Sequence, residues 1–124
     1  MPNTILFVED ESAAQKSLGR TLESKGYKVI SALDGESGLM LAKEAKPALI
    51  LLDLILPKMD GFEVLERLKQ APETKDIPVI ILTNLERMED VEKALGLGAK
   101  IYLTKANYTL EEIVEKIDKT ISLT

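Results

Sequence analysis

The runs ALILLDL at 48–54 and PVIILT at 78–83 constrain the fold more than any other stretch of the chain. Both are too short for an ordinary helix, and neither alternates polar with apolar residues, so neither has a face to offer to water. Strands of that kind belong to parallel sheets covered by helices on both sides. Three more short runs, TILFV at 4–8, YKVISA at 27–32 and KIYLT at 100–104, complete a set separated by longer segments of helical period. Ala14, Leu18 and Leu22 recur every four residues in the first segment. Leu110, Ile113, Val114, Ile117 and Ile121 form an amphipathic stripe in the last. The alternation predicts five strand–helix units, an α/β architecture with a doubly wound five-stranded parallel sheet and five helices. Ser12 with Gln15 and Thr109 with Glu112 have capping-box spacing, which predicts helix starts just after Ser12 and Thr109. Gly26, Gly35, Gly61 and Gly98 mark helix ends or turns.

The 124 residues suit one domain with a sizeable core, and 45% of them are hydrophobic. No apolar run approaches the roughly 18 residues of a membrane span, and the N-terminus lacks a basic flank and cleavage site, so a cytoplasmic protein without membrane contact is expected. With no cysteine and no histidine, thiolate nucleophiles, imidazole bases and sulfur or imidazole metal sites are excluded. Any chemistry falls to carboxylates, lysines and hydroxyls. The net charge of -5 argues against direct nucleic-acid binding, which needs a cationic face, and in favour of protein partners.

Asp53 is out of place in its apolar run, because a buried charge needs a counter-charge or a metal. Ligands in open parallel sheets bind beyond the carboxyl ends of the strands, and right-handed crossovers bring those ends to one edge. Glu9, Asp10 and Glu11 follow the first strand, Asp53 lies at the end of the third, Thr83 ends the fourth and Lys105 follows the fifth. Two carboxylates about 4 Å apart repel by roughly 4 kcal/mol at an effective dielectric near 20, so Asp10 and Asp53 require a cation. One lysine does not balance three acids, whereas magnesium takes one or two carboxylates and keeps phosphate oxygens in its shell. The set reads as a phosphoryl site, with Asp53 as nucleophile and Thr83 and Lys105 holding the phosphoryl oxygens. Taken singly, the acids would also suit a helix N-terminus and Lys105 a solvated surface; their convergence gives them weight.

These residues, with the turn Pro57-Lys58-Met59-Asp60-Gly61, make the sequence resemble the receiver domain of two-component response regulators over essentially its whole length, 1–124. The resemblance implies a flavodoxin-like fold with strand order 2-1-3-4-5. It implies that Asp53 accepts a phosphoryl group from a sensor histidine kinase or phosphotransfer protein. It also implies Mg2+ bound by Asp10, Asp53 and the backbone carbonyl of Ile55, with Glu9 acting through a water. Thr83 and Tyr102 are the implied switch pair, altering a face made by residues near 86–96, 100–104 and 110–122 for a downstream protein. The domain would be a phosphoacceptor with self-phosphotransfer and slow autodephosphorylation rather than a turnover enzyme, and a monomer or a phosphorylation-dependent dimer. No output domain is expected within these residues, which leaves a single-domain regulator or a piece of a longer one.

Two positions depart from the family pattern. Ala106 follows Lys105 where proline is usual, and a trans Lys105–Ala106 bond is expected because a cis bond before a non-proline residue costs about 2.5 to 4 kcal/mol. Glu9 stands where aspartate is common, which lengthens its reach toward a metal. A flavin carrier of the same fold would need a hydroxyl- and glycine-rich phosphate cradle where this chain has EDES at 9–12. A dehalogenase-type phosphatase would need an acid at position 55, which is Ile55. A phosphorylation-independent interaction module would not need Asp10, Asp53, Thr83 and Lys105 together.

Overall fold

Two layers of side chains, one on each face of a single sheet, account for the apolar runs. The computed structural model describes residues 3–123, in the order β1 (Thr4–Val8), α1 (Ser12–Ser24), β2 (Lys28–Ala32), α2 (Gly35–Ala45), β3 (Leu49–Leu52), α3 (Gly61–Gln70), β4 (Val79–Thr83), α4 (Met88–Gly96), β5 (Ile101–Thr104) and α5 (Leu110–Ser122). All strand pairs are parallel and the order is β2-β1-β3-β4-β5, the expected doubly wound arrangement. Side chains alternate across the sheet. Leu6, Val8, Ile50, Leu52, Val79 and Ile81 pack with Ala42, Val64, Leu65, Leu68 and Ala94 from α2, α3 and α4. Ile5, Phe7, Leu49, Leu51, Ile80 and Leu82 pack with Leu18, Leu22, Ile113, Val114 and Ile117 from α1 and α5. Each fully buried side chain of this size contributes roughly 1.5–3 kcal/mol, and the central strands contribute on both faces.

Register sets the site. Val8 pairs with Leu52, so Glu9 and Asp53 are the next residues outward on neighbouring strands. Thr83 pairs with Thr104, which places Lys105 one step beyond Thr83. Strands end earlier than their apolar runs: β3 stops at Leu52, where the Asp53 carboxylate accepts from the Ile55 N–H at 3.1 Å and turns the chain. β2 begins at Lys28, because the Tyr27 N–H is taken by the Leu22 carbonyl at the end of α1 at 3.2 Å, and the first bond toward β1 is that of the Lys28 N–H to the Asn3 carbonyl at 2.9 Å.

Helix caps divide in the same way. The Thr109–Glu112 capping box forms in full, and Asp34 and Asp60 accept from Ser37 N and Glu63 N at 2.8 and 3.1 Å. The Ser12–Gln15 box does not form: Ser12 is already helical, Glu11 occupies the cap position without a side-chain bond, and Gln15 is drawn inward to buried carbonyls. Gly61 opens α3 where a Cβ would lie 2.4 Å from the Asp53 carbonyl oxygen and 2.4 Å from Leu54 Cα, so only glycine lets the helix start this close to β3. Every described peptide bond is trans, including Lys105–Ala106, and residues Lys105–Asn107 form a short 3-10 turn instead.

Candidate functional site

At the carboxyl edge of the sheet the sequence brings four strand ends together. The Asp53 N–H donates to the Val8 carbonyl at 3.0 Å and the Glu9 N–H to the Ala32 carbonyl at 3.0 Å, so both acids are fixed by backbone bonds before their side chains act. Glu9 and Asp53 are 1% and 5% exposed, whereas Asp10 between them on the edge is open to solvent. The Lys105 ammonium donates to Asp53 Oδ2 at 3.1 Å and also to Glu9 Oε1, closing an ion-paired triangle across strands 1, 3 and 5. Glu9, Asp10 and Asp53 each present an oxygen, all within 4.8 Å of one another. A donor set of carboxylate oxygens alone suits a hard divalent cation and not a soft one.

Thr83 is fully buried at the end of β4, and its hydroxyl accepts from the Leu85 N–H at 3.4 Å. Tyr102 on β5 is half-buried and donates its hydroxyl to the Leu85 carbonyl at 2.8 Å, so both predicted switch residues hold the same loop residue. Ile55 lies two residues beyond Asp53, with its N–H on Asp53 Oδ1 and its side chain 53% exposed. Six of the seven sequence-predicted site residues therefore lie at the carboxyl edge of the sheet, with Glu9, Asp10, Asp53 and Lys105 as its charged centre. Tyr102 sits within β5 opposite Ile81 and reaches the edge through its hydroxyl.

A family model described as the response regulator receiver domain matches residues 5–118. The chain belongs to this family. Phosphorylation-based two-component signalling is the family's general function. Curated relatives include the DNA-binding dual master transcriptional regulator RpaA of Synechocystis, 42% identical over 113 residues that make up 91% of this chain and 46% of the relative. The alkaline phosphatase synthesis transcriptional regulatory protein PhoP of Bacillus subtilis is 44% identical over 107 residues, 85% of this chain and 43% of the relative. The chain thus spans less than half the length of either. Among solved structures, a receiver domain protein from Methanospirillum hungatei superposes with a TM-score of 0.91 at 29% identity, covering 98% of this chain and 95% of that one. The chemotaxis protein CheY4 of Vibrio cholerae superposes at 0.89 with 26% identity, covering 96% and 98%.

Electrostatics in this receiver domain follow from depth. Burial, helped by the neighbouring Asp53 charge and opposed by Lys105, pushes the Glu9 carboxyl up from 4.5 to about 7. Burial works against the Lys105 ammonium too, but its bonds to Glu9 and Asp53 outweigh it and hold the lysine above its ordinary range. Burial also raises the Tyr102 phenol, with Asp90 and Asp53 adding to the effect, so the hydroxyl stays a donor to Leu85.

One residue escapes the sequence reading. The spacing of Gln15 from Ser12 predicts a helix cap; instead its amide nitrogen, in a side chain only 7% exposed, reaches the carbonyls of Phe7, Glu9 and Ala32 at 3.2, 2.7 and 2.8 Å. The available signal was an amide three positions before Leu18 on the buried side of α1, too generic to separate a cap partner from a buried clamp.

Proposed function

We propose that this receiver domain relays a signal through reversible phosphorylation of Asp53 by a sensor histidine kinase or phosphotransfer protein. A carboxylate oxygen of Asp53 attacks the phosphorus of a phosphohistidine, the P–N bond breaks, and the imidazole leaves with the electron pair. Lys105 and Thr83 hold phosphoryl oxygens as charge redistributes. Asp10, Asp53 and the Ile55 carbonyl would hold Mg2+, with Glu9 reaching it through a water. When bound, the ion offsets the charge that the acids and the phosphoryl group bring to one place. The protein's own contribution is a nucleophile whose two oxygens are already oriented, one by Ile55 N–H and one by Lys105.

The observation that carries this reading is the triangle of Lys105 with Glu9 and Asp53, since a buried acid pair sharing one ammonium costs desolvation and contributes little net stability. Thr83 and Tyr102, both attached to Leu85, support a switch that passes from the acceptor to α4, β5 and α5, where a downstream protein would bind. We read the domain as cytoplasmic, without direct nucleic-acid contact, and as a monomer or phosphorylation-dependent dimer; no described helix is long and apolar enough to cross a membrane. Incubation with phosphorylated histidine kinase or a small phosphodonor in Mg2+ buffer should add one phosphoryl group, mapped to Asp53 by mass analysis and abolished by Asp53→Asn. Phosphoryl transfer to the asparagine variant, or none to a folded wild type, would overturn the reading in favour of another acceptor or of an interaction module.

A further inference from the structure

The two carboxylates after β1 differ in how they are held. Glu9 is buried and paired, whereas Asp10 is exposed at the tip of the turn between β1 and α1. The orientation of Asp10 must therefore come from the backbone, and in particular from the peptide unit that joins it to Glu9. That unit's carbonyl, on Glu9, accepts from Gln15 Nε2 at 2.7 Å, the shortest of the three bonds the amide makes.

The same nitrogen reaches Phe7 O inside β1 and Ala32 O at the end of β2, and Ala32 O also accepts the Glu9 N–H. Three carbonyl oxygens around one terminal group admit only the NH2 end of the amide there, because the oxygen end would face three acceptors. An amide has two hydrogens, so three acceptors share them and the group is fully used. Gln15 is thus a clamp from the first turn of α1 to the ends of two strands, with the Glu9–Asp10 peptide at its centre.

We propose that Gln15 is a positioning residue for the metal site: by holding the Glu9 carbonyl it fixes the Glu9–Asp10 peptide and so the direction in which Asp10 presents its carboxylate. The inference rests on the reading that Asp10 and Asp53 hold Mg2+. Gln15 itself touches neither the metal nor the phosphoryl group; it acts through the backbone. A rigid donor set matters for Mg2+ because the ion demands near-ideal octahedral geometry, so a small rotation of one carboxylate is expressed as lost affinity.

The test is calorimetric titration of the purified chain with MgCl2. Wild type should bind Mg2+, and Asp10→Asn should not; absence of binding by wild type would sink the metal reading itself and not merely the role of Gln15. Gln15→Met keeps length and volume but removes the donors, and should weaken Mg2+ binding by at least about tenfold at a temperature where it is fully folded. Leu18→Ala, a core truncation on the same helix, serves as the control: it should lower stability while leaving Mg2+ affinity within about twofold of wild type. Wild-type affinity in the Met variant, or an equal loss in Leu18→Ala, would overturn the proposal and reduce Gln15 to a structural clamp. Should the Met variant not fold, Gln15→Asn answers the same question with an amide one methylene short of the carbonyls. A loss of at least about threefold there supports positioning, and unchanged affinity overturns it.

Discussion

The loop after β3 and the loop after β4 leave the same edge of the same sheet, yet they are fastened very differently. Residues 53–61 are tied at several points: Asp53 N to Val8 O at 3.0 Å, Met59 N to Pro57 O at 2.8 Å and Gly61 N to Leu54 O at 2.9 Å. Asp60 then caps α3, whose buried Gly61, Val64, Leu65 and Leu68 seat it against the sheet. Residues 84–87 lead into a helix whose cap residue, Arg87, makes no side-chain cap bond and whose buried contribution is Ala94. Met88 at its start is 67% exposed. What ties this second loop to the sheet is Leu85, held by Thr83 and Tyr102. Regions with few buried contacts and few fastenings open at low free-energy cost. By this contrast the first loop holds Asp53 still and the second opens more readily.

The contrast should be sharpest in stability. Gly61→Ala pushes a methyl into the Asp53 carbonyl and Leu54 Cα, and should cost at least about 3 kcal/mol, whereas Glu86→Ala on the second loop should stay within about 0.5 kcal/mol. Urea unfolding of the two variants measures both; equal costs would erase the distinction.

The edge that holds Asp53 also carries a charge penalty, at Glu9. Glu9 ionises at about 7 in the folded chain against an ordinary value of 4.5. Because the folded value is the higher, the contribution of Glu9 to stability is fully present below pH 4.5 and is lost as pH rises through 7. The linked loss amounts to roughly 3 kcal/mol. In metal-free buffer, stability of wild type minus that of Glu9→Gln should therefore fall across this window, followed by thermal unfolding at successive pH values. A flat difference would mean that Glu9 is not strained by its burial.

Ile55 and Leu85 belong one to each loop, and if Asp53 is phosphorylated as proposed, family resemblance puts both apolar side chains beside the path of a hydrolytic water. Replacing Ile55 with Asn and Leu85 with Glu should speed decay of phosphorylated protein by at least about tenfold, or roughly 1.4 kcal/mol of barrier. Phosphate release in Mg2+ buffer reads the effect, and the single variants show which loop governs it. Equal decay in both forms would remove these side chains from control of water access.

The smallest effect belongs to Tyr102→Phe, which deletes one hydrogen bond to Leu85 and should cost no more than about 1 kcal/mol. Amide exchange should quicken at 84–90 and stay unchanged at 53–61. Quickening in both loops would show them to be one unit.

The fold was legible in the sequence because burial on both faces leaves an unmistakable pattern: Leu49 to Leu52 and Val79 to Thr83 are buried at every position. The charged centre was legible for a similar reason, since Asp53 contradicts its surroundings. Where a side chain had two plausible uses, the sequence did not choose between them. Gln15 has the spacing of a cap partner and the length of a buried clamp, and only the packed ends of β1 and β2 decide between the two. Glu9 belongs to the acidic set that the sequence brings to this edge, but its near-complete burial against Lys105, 96 residues further along, has no signal in the sequence around it.

That separation gives the site a place in time as well as in space. The first three strands can pair while a chain is still being made, and they would bring Glu9, Asp10 and Asp53 together with no ammonium among them. Lys105 arrives with β5, 52 residues after Asp53. Until then the acids repel one another across the very register that joins Val8 to Leu52, so closure of this edge is opposed until the final strand docks. A chain halted before β5 would hold Glu9 and Asp53 side by side without the ammonium that pairs them both, so the charge balance of this edge belongs to the completed sheet.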